Sequence, residues 1–211
     1  MNRRNFLSSA GVAAGTVLGL AAAQPAVAKA KTPWPNGKKW VYSITYDEGC
    51  EEQLKYAAPI PRKFGIPGHV PLVSSQLGMK RNVPGSSYHD MMILSPEQMG
   101  SLIDEGWGAS CHSMTHIGVT AKNADVEVVE ARKVLEEALG AEIPIFTVPG
   151  SNHGHPPAIA TAPGAGYDAI MTIYDWVNTK STDLLWLGRC KNRCLVLQRH
   201  SPEGTAYRSP G

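Results

Sequence analysis

Residues 107–118 read "WGASCHSMTHIG". The stretch from Trp107 to Ser113 has the length and small-residue content of a short strand. His112 stands at its C-terminal end, Ser113 follows, and His116 comes four residues after the first imidazole. Upstream, Ser95-Pro96-Glu97-Gln98 starts a helix, with serine as the cap, proline in the first turn and an early acid; this helix runs to Glu105 and closes on Gly106. Downstream, "ADVEVVEARKVLEEALG" (124–140) is the clearest helix in the chain. Its apolar positions Val126, Val129, Val134, Leu135, Ala138 and Leu139 are read as one stripe, ended by Gly140. A strand between two helices, with histidine where the strand ends, is one unit of an alternating α/β chain.

The same alternation extends in both directions. "KWVYSITYDEG" (39–49) reads as a strand stopped by Asp47-Glu48-Gly49, and "EEQLKYAAPIPRKFG" (51–65) as a short helix ending at Gly65. "IPGHVPLVSS" (66–75) is a second strand, followed by a loop-rich stretch over 76–94. "IPIFTVPG" (143–150) is a strand, "HPPAIATAPGAG" (155–166) a short helix and loop, and "YDAIMTIYDW" (167–176) another strand. Repeated strand–helix alternation favours an α/β fold with parallel strands, whose chemistry collects at the C-terminal strand ends. Asp47-Glu48, His112 and the Pro149 region all fall at such ends.

The chain of 211 residues suits one domain, 43% hydrophobic and 18% charged, and its 21 glycines and 16 prolines argue for loops rather than a helix bundle. The N-terminus reads as separate. "MNRRNFLSSAGVAAGTVLGLAAAQPAVAKA" carries Arg3-Arg4, an apolar run over 11–23 and Ala26-Val27-Ala28 as a cleavage site. The apolar run is shorter than the ~20 residues that span a bilayer, so no stable membrane anchor is expected. "RRNFL" resembles the twin-arginine export signal, which implies passage through the twin-arginine export machinery to a periplasmic or secreted location. Residues 1–28 are assigned to the signal, 29–39 to a linker and 40–211 to the catalytic domain. Loss of Arg3 and Arg4 with the signal brings the formal charge from +2 to about 0. That leaves no electrostatic footprint for nucleic acid. Cys50, Cys111, Cys190 and Cys194 permit disulfides in an oxidising compartment; Cys190 and Cys194 suit a local structural clip, lacking the ligand spacing of a zinc knuckle.

Two imidazoles and a carboxylate form a common divalent-metal set that leaves positions for water and substrate. His112 and His116 can approach one ion, and Glu48 or Asp47 can supply the oxygen. The alternatives are two loop histidines that happen to be close, and a surface turn at Asp47-Glu48-Gly49. Adjacent buried acids, however, require a cation or a shared proton. His69 and His89 have no acidic or histidine neighbour at ligand spacing and are read as structural.

"ITYDEG" resembles the T-F-D-D-G motif of the polysaccharide deacetylases (NodB-type carbohydrate esterases), and "CHSMTH" matches their H-S-x-x-H motif in full. The likeness covers roughly residues 40–176, in the family's order: "FGIPGHVPLV", a helix ending "EGW", "HSMTH", "FTVPG" and "GYDAIMTIYDW". The resemblance implies a distorted (β/α) barrel, incomplete at the C-terminus because the chain stops at Gly211 where more barrel is expected. It implies a divalent metal, zinc first, with Co²⁺, Ni²⁺ or Mn²⁺ suiting the same donors, held by Glu48, His112 and His116. It further implies Asp47 as general base in metal-assisted hydrolysis of an amide, usually an N-acetyl group on a carbohydrate. Ser113 is expected to support the turn between the two histidines rather than act as a nucleophile. Pro149 and Trp176 are expected to line the substrate site.

Three departures accompany the likeness. The second acid is Glu48, one methylene longer than aspartate, so the ion or the backbone must shift. The family's R-x-P-Y/F motif reads Thr147-Val148-Pro149-Gly150, which leaves Asp47 without the arginine that orients it. The family's last motif, L-x-H, is met only by "LVLQRH" with shifted spacing, making His200 the candidate acid against the alternative of a loop histidine. His153 and His155 in "GSNHGHPP" either line the same cleft or sit in an exposed loop. A rival reading is therefore a non-catalytic member that binds carbohydrate, and a third is cleavage of a non-sugar C–N bond.

Overall fold

The computed structural model describes residues 42–150 and 165–190. The export signal, the linker, most of the helix expected over 155–166, His153, His155, Cys194 and His200 lie outside them. Five short parallel strands stand side by side in chain order: β1 (Ile44–Thr45), β2 (Gly68–Leu72), β3 (Gly108–Cys111), β4 (Ile145–Thr147) and β5 (Ala169–Met171). The register pairs Thr45 with His69, Leu72 with Cys111, Cys111 with Phe146 and Thr147 with Met171. Because the order never reverses, the sheet winds one way, as half of a parallel barrel does, and all strand ends point to one rim. A single parallel bridge from Met171 to Leu187 carries the sheet one position beyond β5, with Thr172 N–H donating to Leu187 O and Leu187 N–H to Ile170 O.

Helices cover the outside. α1 (Pro59–Phe64) follows a π-helical turn at Gln53–Ala57, because Pro59 and Pro61 have no N–H to continue an ordinary ladder. It ends at Gly65, whose φ of 64° is the left-handed cap that glycine provides without strain. α2 (Pro96–Asp104) starts with a full capping box, Ser95 Oγ accepting from Gln98 N–H while the Gln98 side chain accepts from Ser95 N–H. α3 (Ala131–Leu139) again follows a π-helical segment, Asp125–Glu130, and closes on left-handed Gly140.

That π segment corrects the expected stripe. Its wider turn rotates the helix face, so Val128, Ala131 and Leu135 are buried with Val129, while Val126, Val134 and Ala138 are exposed. The core lies between these helices and one face of the sheet, joining Val70, Leu72, Phe146 and Ile170 to Met99, Leu102, Val128 and Leu135.

One further element differs from expectation. The first strand keeps only Ile44 and Thr45 in its ladder; it pairs on one side only, with β2, and Tyr42 is exposed. The 76–94 stretch is loop-rich as expected, and its loops are ordered by backbone bonds. Arg81 N–H donates to Met91 O, Asp90 N–H to Arg81 O and Ile93 N–H to Met79 O, so the segment folds back on itself. Leu94 N–H to Gly49 O and Glu51 N–H to Met92 O then fasten it to the turn after β1. No helix among the described residues is long and apolar enough to cross a membrane.

Candidate active site

The rim of the sheet gathers the chemistry. β1 runs into the turn Asp47–Gly49, in which Glu48 takes φ 73° and Gly49 φ 69°. A left-handed glutamate costs roughly 1–2 kcal/mol, so the surroundings must hold it there. Gly49 is required for a second reason: a Cβ would stand 2.6 Å from Leu72 Cδ2. The turn aims two carboxylates apart. Asp47 receives Arg189, whose Nη1 donates to Oδ1 at 2.6 Å and Oδ2 at 2.8 Å while its Nε donates to Thr172 O at 2.9 Å. Glu48, 8% exposed, puts Oε2 2.6 Å from Nη2 of the fully buried Arg81 and Oε1 3.3 Å from His116 Nε2. The Arg81–Glu48 approach is a close ion pair without the alignment of a hydrogen bond.

β3 delivers His112. Its N–H donates to Leu72 O, and its ring, 2% exposed, sets Nδ1 2.8 Å from Thr147 O at the end of β4. A carbonyl only accepts, so Nδ1 carries the proton and the Nε2 lone pair is left facing away. Burial pushes the His112 pKa down to about 4, against the pull of Asp47 in the other direction, so the ring is neutral at neutral pH. Ser113 and His116 both adopt φ 68°, and the turn between them is closed by His116 N–H donating to Ser113 Oγ at 2.9 Å. Glu127, buried on the π segment, accepts from Thr115 N–H and Thr115 Oγ1 and so fixes the loop from the helix side. The two imidazoles meet edge to face with centroids 4.9 Å apart.

Ligand atoms of Glu48, His112 and His116 all lie within 4.8 Å of one another. Two donors each about 2.1 Å from a tetrahedral ion stand about 3.4 Å apart, close to the 3.3 Å between Glu48 Oε1 and His116 Nε2. With the His112 tautomer already fixed by a backbone carbonyl, the donor set fits zinc or a similar divalent cation.

The remaining predicted residues are scattered. Trp176, 39% exposed, stacks on Tyr174 at 4.8 Å, and its ring lies over Gly188, next to Arg189. Pro149 is buried two residues past the carbonyl that holds His112. His200, His153 and His155 lie outside the described residues, as does the Cys194 half of the expected clip. Asp47 is not without an arginine: Arg189 reaches it from the sheet position after β5. Nothing in "LLWLGRC" sets that arginine apart from a surface residue. Arg81, in "GMKRNVPG", gave no signal. His69, read as structural, is half-buried with Nε2 unbonded, and its pKa falls to about 4 through burial first and Arg189 second.

A half-barrel of parallel strands that gathers a carboxylate and two histidines at one rim defines an α/β protein with a group of side chains able to hold a divalent cation. The family model for polysaccharide deacetylase matches residues 35–170, and the chain belongs to that family. The relative YxkH of Bacillus subtilis (strain 168) is 21% identical over 136 residues, covering 58% of this chain. The chain spans 45% of that relative's length. Among solved structures, the Streptococcus pyogenes deacetylase PplD in complex with acetate superposes with a TM-score of 0.60 at 17% identity, covering 72% of this chain and 65% of that one. IcaB from Ammonifex degensii gives 0.59 at 20% identity, over 70% and 65%. The BpsB deacetylase domain from Bordetella bronchiseptica gives 0.58 at 16%, over 70% and 69%. These likenesses establish the fold.

Proposed function

We propose that the protein is an exported, metal-dependent deacetylase that hydrolyses an N-acetyl group, or a similar acyl amide, on a carbohydrate. The observation that carries this reading is the convergence of Glu48, His112 and His116 within 4.8 Å, beside a separately held Asp47. Glu48, His112 and His116 would hold a divalent cation, zinc first among those that suit these donors, and it would supply Lewis acidity for activating water and polarising an acyl carbonyl. Asp47 takes the proton from the attacking water, its carboxylate kept in place by Arg189. Arg189 thus does for Asp47 what the family's third-motif arginine does, from the segment that follows the Leu187 bridge. The Thr147 carbonyl keeps the His112 ring from turning. Trp176 walls the sugar side, and His200 is the candidate donor of a proton to the leaving amine. The "RRNFL" signal supports export by the twin-arginine route.

One observation favours a second reading. Arg81 and Arg189 already balance Glu48 and Asp47, so the acid pair is satisfied without an ion, and a non-catalytic carbohydrate-binding protein stays consistent with the fold. Acetate release from N-acetylglucosamine oligomers, with metal content, separates the two. Zinc-dependent release that Asp47→Asn abolishes supports the deacetylase; zinc binding with no turnover of a broad N-acyl panel supports the binding protein.

A further inference from the structure

Arg81 is a charged side chain with no surface exposure, delivered by a segment that resembles a loop, and the chemistry above does not use it. Its backbone is clamped on both sides, by Met91 O and by Asp90 N–H, and the segment is fastened to Gly49 and Glu51, just after Glu48 in the chain. Its Nη2 stands 2.6 Å from Glu48 Oε2, and its Nε reaches Ser86 Oγ at 3.4 Å. The other carboxylate oxygen, Oε1, is the one facing His116. We infer that Arg81 is a positioning residue for the metal ligand Glu48: it holds Oε2 so that Oε1 alone is presented to the ion.

The need follows from the sequence. Glutamate has one more torsion than aspartate, and a glutamate springing from a left-handed turn swings through a wide arc unless its far oxygen is pinned. A guanidinium on a clamped segment does this, and it sets an opposite charge beside the buried carboxylate. The extra methylene of Glu48 and the burial of Arg81 are in this account one adaptation.

The inference rests on the metal reading of the site, and the test separates them. Zinc affinity of the full chain is measured by competition with a chromogenic chelator for wild type, Arg81→Lys, Arg81→Met, Glu48→Gln and the double variants, with thermal unfolding of each zinc-free protein as the folding control. Arg81→Met is expected to weaken zinc binding by about 10–100-fold and Arg81→Lys by less, and both losses are expected to vanish in the Glu48→Gln background. If Arg81→Met does not fold, Arg81→Lys with and without Glu48→Gln carries the same comparison. Unchanged or tighter zinc binding in the Arg81 variants overturns the role, tighter binding meaning that charge repulsion outweighs orientation. Equal losses with and without Glu48→Gln also overturn it, since a merely structural arginine gives that result. A wild-type protein that binds no zinc overturns the metal reading and this role together.

Discussion

Acidification of the zinc-free protein should unfold it earlier than its carboxylates alone would. His112 is neutral in the fold because burial pushes its pKa down to about 4, against about 6.5 in an unfolded chain. Between these values the unfolded chain takes up a proton that the folded one refuses, so falling pH favours unfolding. The stability at stake is fully present above about pH 6.5, is lost as pH falls, and stops falling near pH 4. From about pH 7 to about pH 5 the loss for one such histidine is about 2 kcal/mol. His69, lowered to about 4 as well, doubles it. Together they remove a large share of the 5–15 kcal/mol typical of a domain, before most carboxylates titrate. Urea unfolding across this range measures it directly. His112→Gln keeps a donor for Thr147 O and should remove about half the slope, as should His69→Gln. A stability flat between pH 5 and pH 7, or a slope that neither variant changes, would mean that burial does not hold these two imidazoles neutral in the fold.

Arg189→Met should lower kcat on an N-acetylated oligosaccharide by about 10–100-fold with little change in KM, because the base loses its support rather than the substrate its contacts; Arg189→Lys should recover part of the loss. Gly49→Ala should cost about 1–3 kcal/mol in urea unfolding, since it combines φ 69° with a Cβ 2.6 Å from Leu72 Cδ2. Ser113→Ala removes the acceptor that closes the turn before His116 and should weaken zinc binding roughly 10-fold, read by chelator competition.

Much of this site is legible in the sequence alone, for reasons that differ residue by residue. The capping box at Ser95–Gln98 and the glycine stops at 65 and 140 are local signals, and local signals survive folding. His112 and His116 were visible because a strand must end before them, and the 2.9 Å bond between Ser113 and His116 stays within one turn. The face of the long helix was misjudged because a π turn cannot be read from apolar spacing, and one added residue rotates everything after it. Arg189 and Arg81 were missed because their partners are 142 and 33 positions away in sequence, and a solitary arginine in a polar stretch looks the same exposed or buried. The chain's departures from the family pattern were visible as absences. What compensates for them is tertiary.

The proposed chemistry needs one cation seated among Glu48, His112 and His116 at the rim of the sheet. Anomalous diffraction at the zinc edge, from crystals grown with stoichiometric zinc, tests that most directly. The expected result is one peak per chain, about 2 Å from Glu48 Oε1 and from a ring nitrogen of each of His112 and His116, and no peak there in His112→Ala. No peak between these groups in the wild type, or a zinc ion bound elsewhere with Glu48 still paired to Arg81 and His116, would contradict it.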